Sequence, residues 1–180
     1  MPPYGIVTSE PSPLEKEIAR LHAEATRLKQ SSWDAAIESL LAARALARAH
    51  GLERYAPFKE HLRLPLFLQS AGRWTESERE FKAIIAELTY VTGHRFGSID
   101  TSQSYAFSQS DRHACLSSAY EKYALAAKRE RLPELAAWLR SFAVSHDAQH
   151  RHFLEASLRE FEAADRERKA RVAARRASRT

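Results

Sequence analysis

The sequence predicts an all-α protein, and three observations support this fold class. The 180 residues include only 5 Gly and 7 Pro, so few positions interrupt a helix. Ala, Leu, Glu and Arg are abundant, and these side chains lose little conformational freedom in a helix. Apolar residues recur at steps of three and four along most of the chain, which is the spacing of one helix face. The length suits a single domain.

Composition and periodicity divide the chain into three parts. Residues 1–11 hold three prolines and no periodic pattern, which is typical of a flexible lead-in. Residues 12–165 carry the helical pattern, apart from a Ser- and Gly-containing stretch at 92–110 that we expect to be a long loop. Residues 166–180 form a basic tail. The pattern leaves open whether the last helices are continuous across residues 145–147.

Three short polar turns, each followed by a large apolar residue, predict three helical hairpins. Trp33, Trp74 and Leu132 follow these turns and begin new helices. Short connections place consecutive helices side by side and antiparallel. We expect Trp33, Trp74 and also Trp138 to be core residues, because large rings fill the space between hairpins. Pro65 should bend or divide the helix that contains it.

The clearest repeat pattern lies in residues 58–88, at Leu64, Leu68, Gly72, Trp74 and Phe81. This pattern resembles the tetratricopeptide repeat (TPR) family. The resemblance implies about three TPR-like hairpins stacked as an α-solenoid, followed by a C-terminal helix. Repeats of that family are about 34 residues long, whereas the first two hairpin turns here are 41 residues apart and the next two are 58 apart. Both a regular superhelix and a compact, irregular helical array therefore stay open.

The resemblance also implies a non-catalytic adaptor or regulator, since TPR proteins hold a partner protein or peptide on the concave surface of their stacked hairpins. By the family pattern, the groove-facing residues would be Leu21, Ala25, Leu28, Lys29, Lys59, Leu62, Arg63, Leu66 and Gln69. The competing binding site is the predicted loop with Phe96, Tyr105 and Phe107, because exposed aromatic residues on long loops are typical contact residues. An alternative function is neutralisation of a toxin or effector enzyme.

The positive charge of the chain is concentrated at its C-terminus. Residues 166–180 contain seven basic residues and one acidic residue, a net charge of +6, whereas the whole chain carries +5. Such blocks are commonly interaction tails, and arginines neutralise phosphates. A second alternative function is therefore a nucleic-acid-associated regulator that uses Arg166, Arg168, Lys169, Arg171, Arg175 and Arg176. We do not favour it, since the tail lacks aromatic residues on which bases could stack.

No motif predicts catalysis or a cofactor. His146, Asp147, His150 and His152 have metal-ligand chemistry, but no Cys or Glu at the usual spacing completes a site, so we expect no metal. The single Cys115 predicts a small buried side chain and a reducing compartment. We expect a cytoplasmic protein with no membrane partner, because no stretch resembles a signal peptide or a membrane-spanning helix. The excess of Arg over Lys indicates a bacterial source.

Overall fold

The computed structural model describes residues 10–52, 57–90 and 105–177, and these ranges contain helices and no strand. The predicted all-α fold class is therefore confirmed. The helices are α1 Pro13–Leu28, α2 Trp33–Ala49, α3 Phe58–His61, α4 Arg63–Ser70, α5 Trp74–Tyr90, α6 Tyr105–Arg129 and α7 Pro133–Ala177.

Local side-chain chemistry sets where the first two helices begin. Ser12 and Glu15 form a reciprocal capping box: the Ser12 hydroxyl accepts from the Glu15 amide at 3.2 Å, and the Ser12 amide donates to the Glu15 carboxylate at 2.7 Å. Pro13 follows at the first helical position, where its missing N–H leaves no intrahelical bond unmade. At α2 the cap is Ser32, whose hydroxyl accepts from the amide of Ala35 at 3.2 Å.

Pro65 divides one predicted helix into two. The short α3 and the longer α4 meet at Leu62, because proline lacks the amide that would bond to the residue four positions earlier and its ring crowds that carbonyl. Pro65 itself is buried, and its carbonyl accepts a 2.7 Å hydrogen bond from the hydroxyl of Ser77 on α5. This hydrogen bond adds a buried contact between α4 and α5.

Three helices end in the same type of turn. After α2, α4 and α6 the chain enters the left-handed region at Gly51 (φ 65°), Gly72 (φ 75°) and Arg131 (φ 60°). In each turn the next amide bonds back to a carbonyl five residues earlier, as from Arg73 to Leu68 at 2.9 Å. This is the Schellman arrangement, which satisfies carbonyls that the helix end leaves unpaired. Gly72 supports the predicted stop, whereas Arg131 occupies a conformation that glycine adopts more easily.

The buried apolar residues form two clusters, and α4 contributes to both. The first cluster joins α1, α2 and α4 through Ala25, Ala36, Ile37, Leu40, Leu64, Phe67 and Leu68. The second involves each helix from α3 through α7. Its centre is Phe81, which is fully buried and stacks on Tyr123 with ring centroids 4.9 Å apart. Since each helix packs mainly on its neighbours in the chain, the core is a row of helix contacts rather than one central bundle.

The pairing of α6 with α7 relies on small side chains. The Ser117 hydroxyl donates to the carbonyl of Ala143 at 3.0 Å, and the Ser110 hydroxyl lies 3.3 Å from the carbonyl of His150. As residue numbers rise along α6 they fall along α7, so the two helices are antiparallel. Small residues and hydroxyl-to-backbone bonds allow the two backbones to approach closely.

Several expectations about boundaries and burial are wrong. The predicted loop 92–110 extends too far, because residues 105–110 already belong to α6; their Ser and Gln side chains hid a helical turn that tertiary packing stabilises. The continuity that the sequence left open is decided by the structure: residues 145–147 lie within α7, and residues 166–177 of the basic tail continue the same helix. Trp33 and Trp74 are only partly buried, and Trp138 is 57% exposed rather than a core residue.

Candidate binding surface on the last two helices

A continuous row of aromatic and histidine rings runs along the α6–α7 hairpin. We call it the aromatic stripe, and its seven members in spatial order are Tyr105, Phe153, His113, His146, Tyr120, Phe142 and Trp138. The first six members alternate between α6 and α7. The distances between consecutive ring centroids are 6.4, 5.6, 5.1, 5.5, 5.2 and 4.7 Å. These separations and the stacked or edge-on geometries are those of favourable aromatic pairs.

The stripe is accessible, most of all at its ends. Tyr105 is 73% exposed at one end and Trp138 is 57% exposed at the other. The five rings between them are partly buried, so each still presents an edge or face to solvent. Rings held rigid by stacking lose little conformational freedom when a partner covers them.

Two histidines form the centre of the stripe. The Nδ1 atoms of His113 and His146 are 2.9 Å apart, so one nitrogen donates and the other accepts. Burial lowers the pKa of both imidazoles, and the nearby Arg112 guanidinium lowers them further. His146 lowers the pKa of His113 as well. Arg112 is held in place by bonds to the carbonyls of Leu88 and Thr89 on α5.

The spacing of the rings in the sequence is a signal for this surface. On α6 the rings of His113 and Tyr120 are seven residues apart, and on α7 the rings at 138, 142 and 146 are four apart. Both spacings keep side chains on one face of a helix. The signal becomes informative only when the two helices are known to pair in antiparallel register.

The four residues considered as a metal cluster take separate roles. His146 pairs with His113, while His150 contacts Ser110, with its Nδ1 atom 2.9 Å from the hydroxyl oxygen. Asp147 forms an ion pair with Arg151 at 2.6 Å, and His152 is exposed. Within the described ranges, no group of three or more His, Cys, Asp or Glu side chains could hold a metal ion.

Three residues of the predicted TPR groove lie in the protein interior, and one of them is Ala25, which is fully buried in the first core cluster. Leu62 is only 3% exposed and belongs to the second core cluster. Gln69 is 8% exposed and bonds to the end of α6, because its amide donates to the Glu130 carboxylate at 2.8 Å. None of these side chains is available to a partner in this conformation. The division of the helix at Pro65 changes which side chains face outward.

Arg63, another predicted groove residue, connects α4 to α1. Its guanidinium donates to the His22 carbonyl at 2.8 Å and to the Thr26 hydroxyl at 2.6 Å. It also lies 3.0 Å from the Glu60 carboxylate, which in turn is 3.0 Å from Nδ1 of His22. Burial is the main cause of the lowered pKa of His22; Glu60 opposes this effect and Arg63 adds to it. Arg63 is therefore a structural contact, and reversing its charge should weaken the fold.

The remaining groove residues do not form one continuous surface. Leu21, Leu28 and Leu66 are partly buried, whereas Lys29 and Lys59 are exposed. Lys29 lies over the ring of Phe67 at 5.8 Å. Lys59 instead lines a cleft of about 390 Å³ between α1, the end of α2 and α3.

The loop and tail residues are placed as follows. Phe96 lies outside the described residues. Tyr105 and Phe107 are on the first turn of α6, where Tyr105 is the first ring of the aromatic stripe and Phe107 is 40% exposed. The six basic residues predicted to contact nucleic acid are all exposed on the last three turns or so of α7.

Cys115 is buried on α6, as predicted. Burial is the main cause of the rise in its thiol pKa to about 12, and the charge of Asp111 adds to it. The thiolate form is therefore scarce at neutral pH, which is unfavourable for nucleophilic chemistry.

No helix in residues 10–52, 57–90 and 105–177 is long and apolar enough to cross a membrane. No protein family, curated protein or solved structure matches the chain at a significant level.

Proposed function

We propose that this protein is a non-catalytic protein-interaction module of TPR-like helical hairpins, and that its partner protein or peptide docks on the aromatic stripe. The observation that carries the proposal is the continuous row of seven rings in stacked, tilted or edge-on contact, exposed at both ends at Tyr105 and Trp138. Tyrosine and tryptophan are over-represented among the residues that dominate binding energy in protein interfaces.

The geometry favours the stripe over the groove that the TPR pattern suggests. The groove residues are divided between the core, a contact with α1 and a separate cleft, so they offer a partner little continuous surface. The stripe is continuous along two helices. Tyr105, which we expected on the competing loop site, also belongs to it.

The test is capture of a partner with the full chain and three double variants. Tyr105→Ala with Trp138→Ala removes the two exposed ends of the stripe. Because both side chains are largely exposed, the fold should be retained. The expected result is loss of the partner protein that the wild-type chain recovers from its source cells, as identified by mass spectrometry.

The matched control removes exposed apolar side chains elsewhere on the same two helices. Leu125→Ala on α6 with Val144→Ala on α7 should leave the recovery unchanged. A third variant, Lys29→Glu with Lys59→Glu, reverses the two exposed groove charges. Loss of the partner in this variant alone would move the binding site to the groove. If the captured partner is a toxin or an effector enzyme, the module acts as its neutraliser.

Contact with nucleic acid is a second candidate function, supported by the exposed cluster of six basic residues at the end of α7. Several of these cations already have carboxylate partners in the same helix. Arg168 and Lys169 both contact Asp165 at 2.7 Å, and Arg171 contacts Glu167 at 3.1 Å. Salt-sensitive binding to a DNA or RNA duplex, abolished by deletion of residues 166–180, would support this candidate.

A further inference from the structure

In the part of the chain that the structure describes, the distal part of α7 extends past the helix that packs against it. The α6 helix begins beside Phe153, where the ring of Tyr105 contacts it, so α7 continues beyond the end of its partner. From residue 158 to residue 177 every side chain except that of Asp165 is exposed in the described structure. We call residues 154–177 the distal segment. Its 24 residues span about 36 Å at 1.5 Å per residue.

The distal segment carries a heptad pattern. Steps of four and three residues connect its positions d and a, which are Leu154, Leu158, Phe161, Asp165, Arg168, Val172 and Arg175. Four of these seven are large apolar residues, and Phe161 is 72% exposed while Leu158 is 54% exposed. Apolar residues at positions a and d form the seam by which two helices pair in a coiled coil, and here Asp165, Arg168 and Arg175 interrupt that seam.

The two halves of the distal segment have opposite charges. Residues 154–165 contain four acidic residues and one basic residue, a net charge of −3, whereas residues 166–177 contain six basic residues and one acidic residue, a net charge of +5. An antiparallel pair of identical segments places each acidic half beside the basic half of the other copy. A parallel pair places like charges together.

The residues that flank the seam also favour the antiparallel orientation. Heptad position e is occupied in order by Glu155, Glu162, Lys169 and Arg176. In an antiparallel pair these positions face each other, so Glu162 of each copy lies beside Lys169 of the other, and Glu155 lies beside Arg176. In a parallel pair, position e of one copy faces position g of the other. Arg176 at position e would then lie beside Arg171 at position g, so two like charges would meet. Charges at e and g set the orientation of paired helices.

We propose that two copies of this chain associate through the distal segment of α7 in an antiparallel coiled coil. In the register that pairs position a with position d, Phe161 of each copy packs on Val172 of the other. The same register places Asp165 beside Arg168 near the twofold axis. Polar residues within a seam reduce stability but specify register and orientation. This surface is separate from the aromatic stripe, so the two proposals can fail independently.

The first test is the mass of the full chain in solution by analytical ultracentrifugation. The expected result is a dimer of the 20.5 kDa chain that dissociates on dilution. Phe161→Glu should give a monomer at every concentration. The matched control is Ala163→Glu, which adds the same charge two residues away on the outer face of the helix and should leave the dimer intact. Circular dichroism checks that both variants keep their helix content.

The second test fixes the orientation by disulfide cross-linking. A tagged Asp165→Cys chain is mixed with an untagged Arg168→Cys chain and oxidised, and the products are separated without reductant. The antiparallel register predicts that the mixed dimer dominates over both homodimers. Cys115 should not compete, since it is buried and its raised pKa keeps the thiolate scarce.

Three outcomes would overturn the proposal. One is a wild-type chain that is monomeric at high concentration. Another is a dimer that Phe161→Glu leaves intact, since the dimer would then use a different surface. The last is a dominant Asp165→Cys homodimer, which indicates parallel helices. A monomer that binds a DNA duplex in a salt-sensitive way would assign the segment to nucleic acid instead.

Discussion

The interior formed by α4, α5 and α6 and the hairpin formed by α6 and α7 are stabilised in different ways. The first is filled by large apolar side chains, and its centre is the stacked pair of Phe81 and Tyr123. The second brings two helices together largely through serine and alanine, with Ser117 bonded to the backbone of α7, although Leu116 and Leu139 of these helices are buried as well. Its larger rings stay at the rim as the aromatic stripe. The turns after α4 and α6 have the same geometry but a different residue in the left-handed position, Gly72 in the first and Arg131 in the second.

This difference indicates that the side chains that stabilise the fold and the side chains that are accessible to a partner lie in different parts of the molecule. Large side chains in the interior contribute through burial, and they are consequently unavailable to a partner. Small residues between α6 and α7 leave the rings of that hairpin half-exposed. The protein therefore keeps an accessible aromatic surface on a part of the fold that does not depend on burying those rings.

The largest expected effect is in the interior. Phe81→Ala should lower the free energy of unfolding by about 3–5 kcal/mol, because it removes a fully buried ring that stacks on Tyr123. Trp74→Ala should cost less, since Trp74 is only partly buried. Urea denaturation followed by circular dichroism measures both. A loss greater for Trp74 than for Phe81 would place the centre of the interior elsewhere.

A smaller effect should appear in the hairpin when the pH falls. The pKa values of His113 and His146 are lowered in the folded state, so the unfolded chain binds protons more readily. The free energy of unfolding should therefore decrease as the pH drops below about 6.5, the usual histidine value. The decrease in the free energy of unfolding should continue until the pH reaches the lowered pKa values that His113 and His146 have in the folded state. Denaturant unfolding between pH 7 and pH 5 measures this slope.

Two variants test whether the histidine pair causes this dependence of the free energy of unfolding on pH. His113→Gln should reduce it without abolishing it, because the pKa of His22 is also lowered by burial. His50→Gln makes the same substitution at an exposed histidine at the end of α2 and serves as the control. A steeper slope in His113→Gln would show that the histidine pair does not disfavour protonation.

The smallest expected effect is at the turn between α6 and α7, which contains Arg131. Arg131→Gly should raise the free energy of unfolding by about 0.5–1 kcal/mol, because glycine adopts the left-handed region without the clash that a Cβ atom causes. Arg131→Ala is the matched control, since it removes the guanidinium but keeps the strained Cβ, and it should change stability little. Thermal unfolding compares the two. Equal stabilisation by both variants would attribute the effect to the Arg131 charge rather than to backbone conformation.

The sequence by itself determined the features that depend on neighbours within one turn of helix. Ser12, Pro13 and Glu15 set the start of α1 because a capping box involves only residues three positions apart. Gly72 ends α4 for a conformational reason alone, since an added Cβ would meet no atom within 4 Å. Pro65 divides its helix because its ring removes the amide hydrogen and crowds the carbonyl four residues earlier. Each of these effects is short in range, so a single sequence is enough to predict it.

The tertiary structure alone decided which helix faces meet. The aromatic stripe exists because the register of α6 against α7 brings His113 between Phe153 and His146, and no property of either helix fixes that register. Arg63 was expected in an open groove, but the position of α1 makes it a partly buried bridge to Thr26. Helix periodicity gives the direction of a side chain around its own axis. The identity of the neighbour depends on packing between segments distant in sequence, which is a cooperative property of the whole chain.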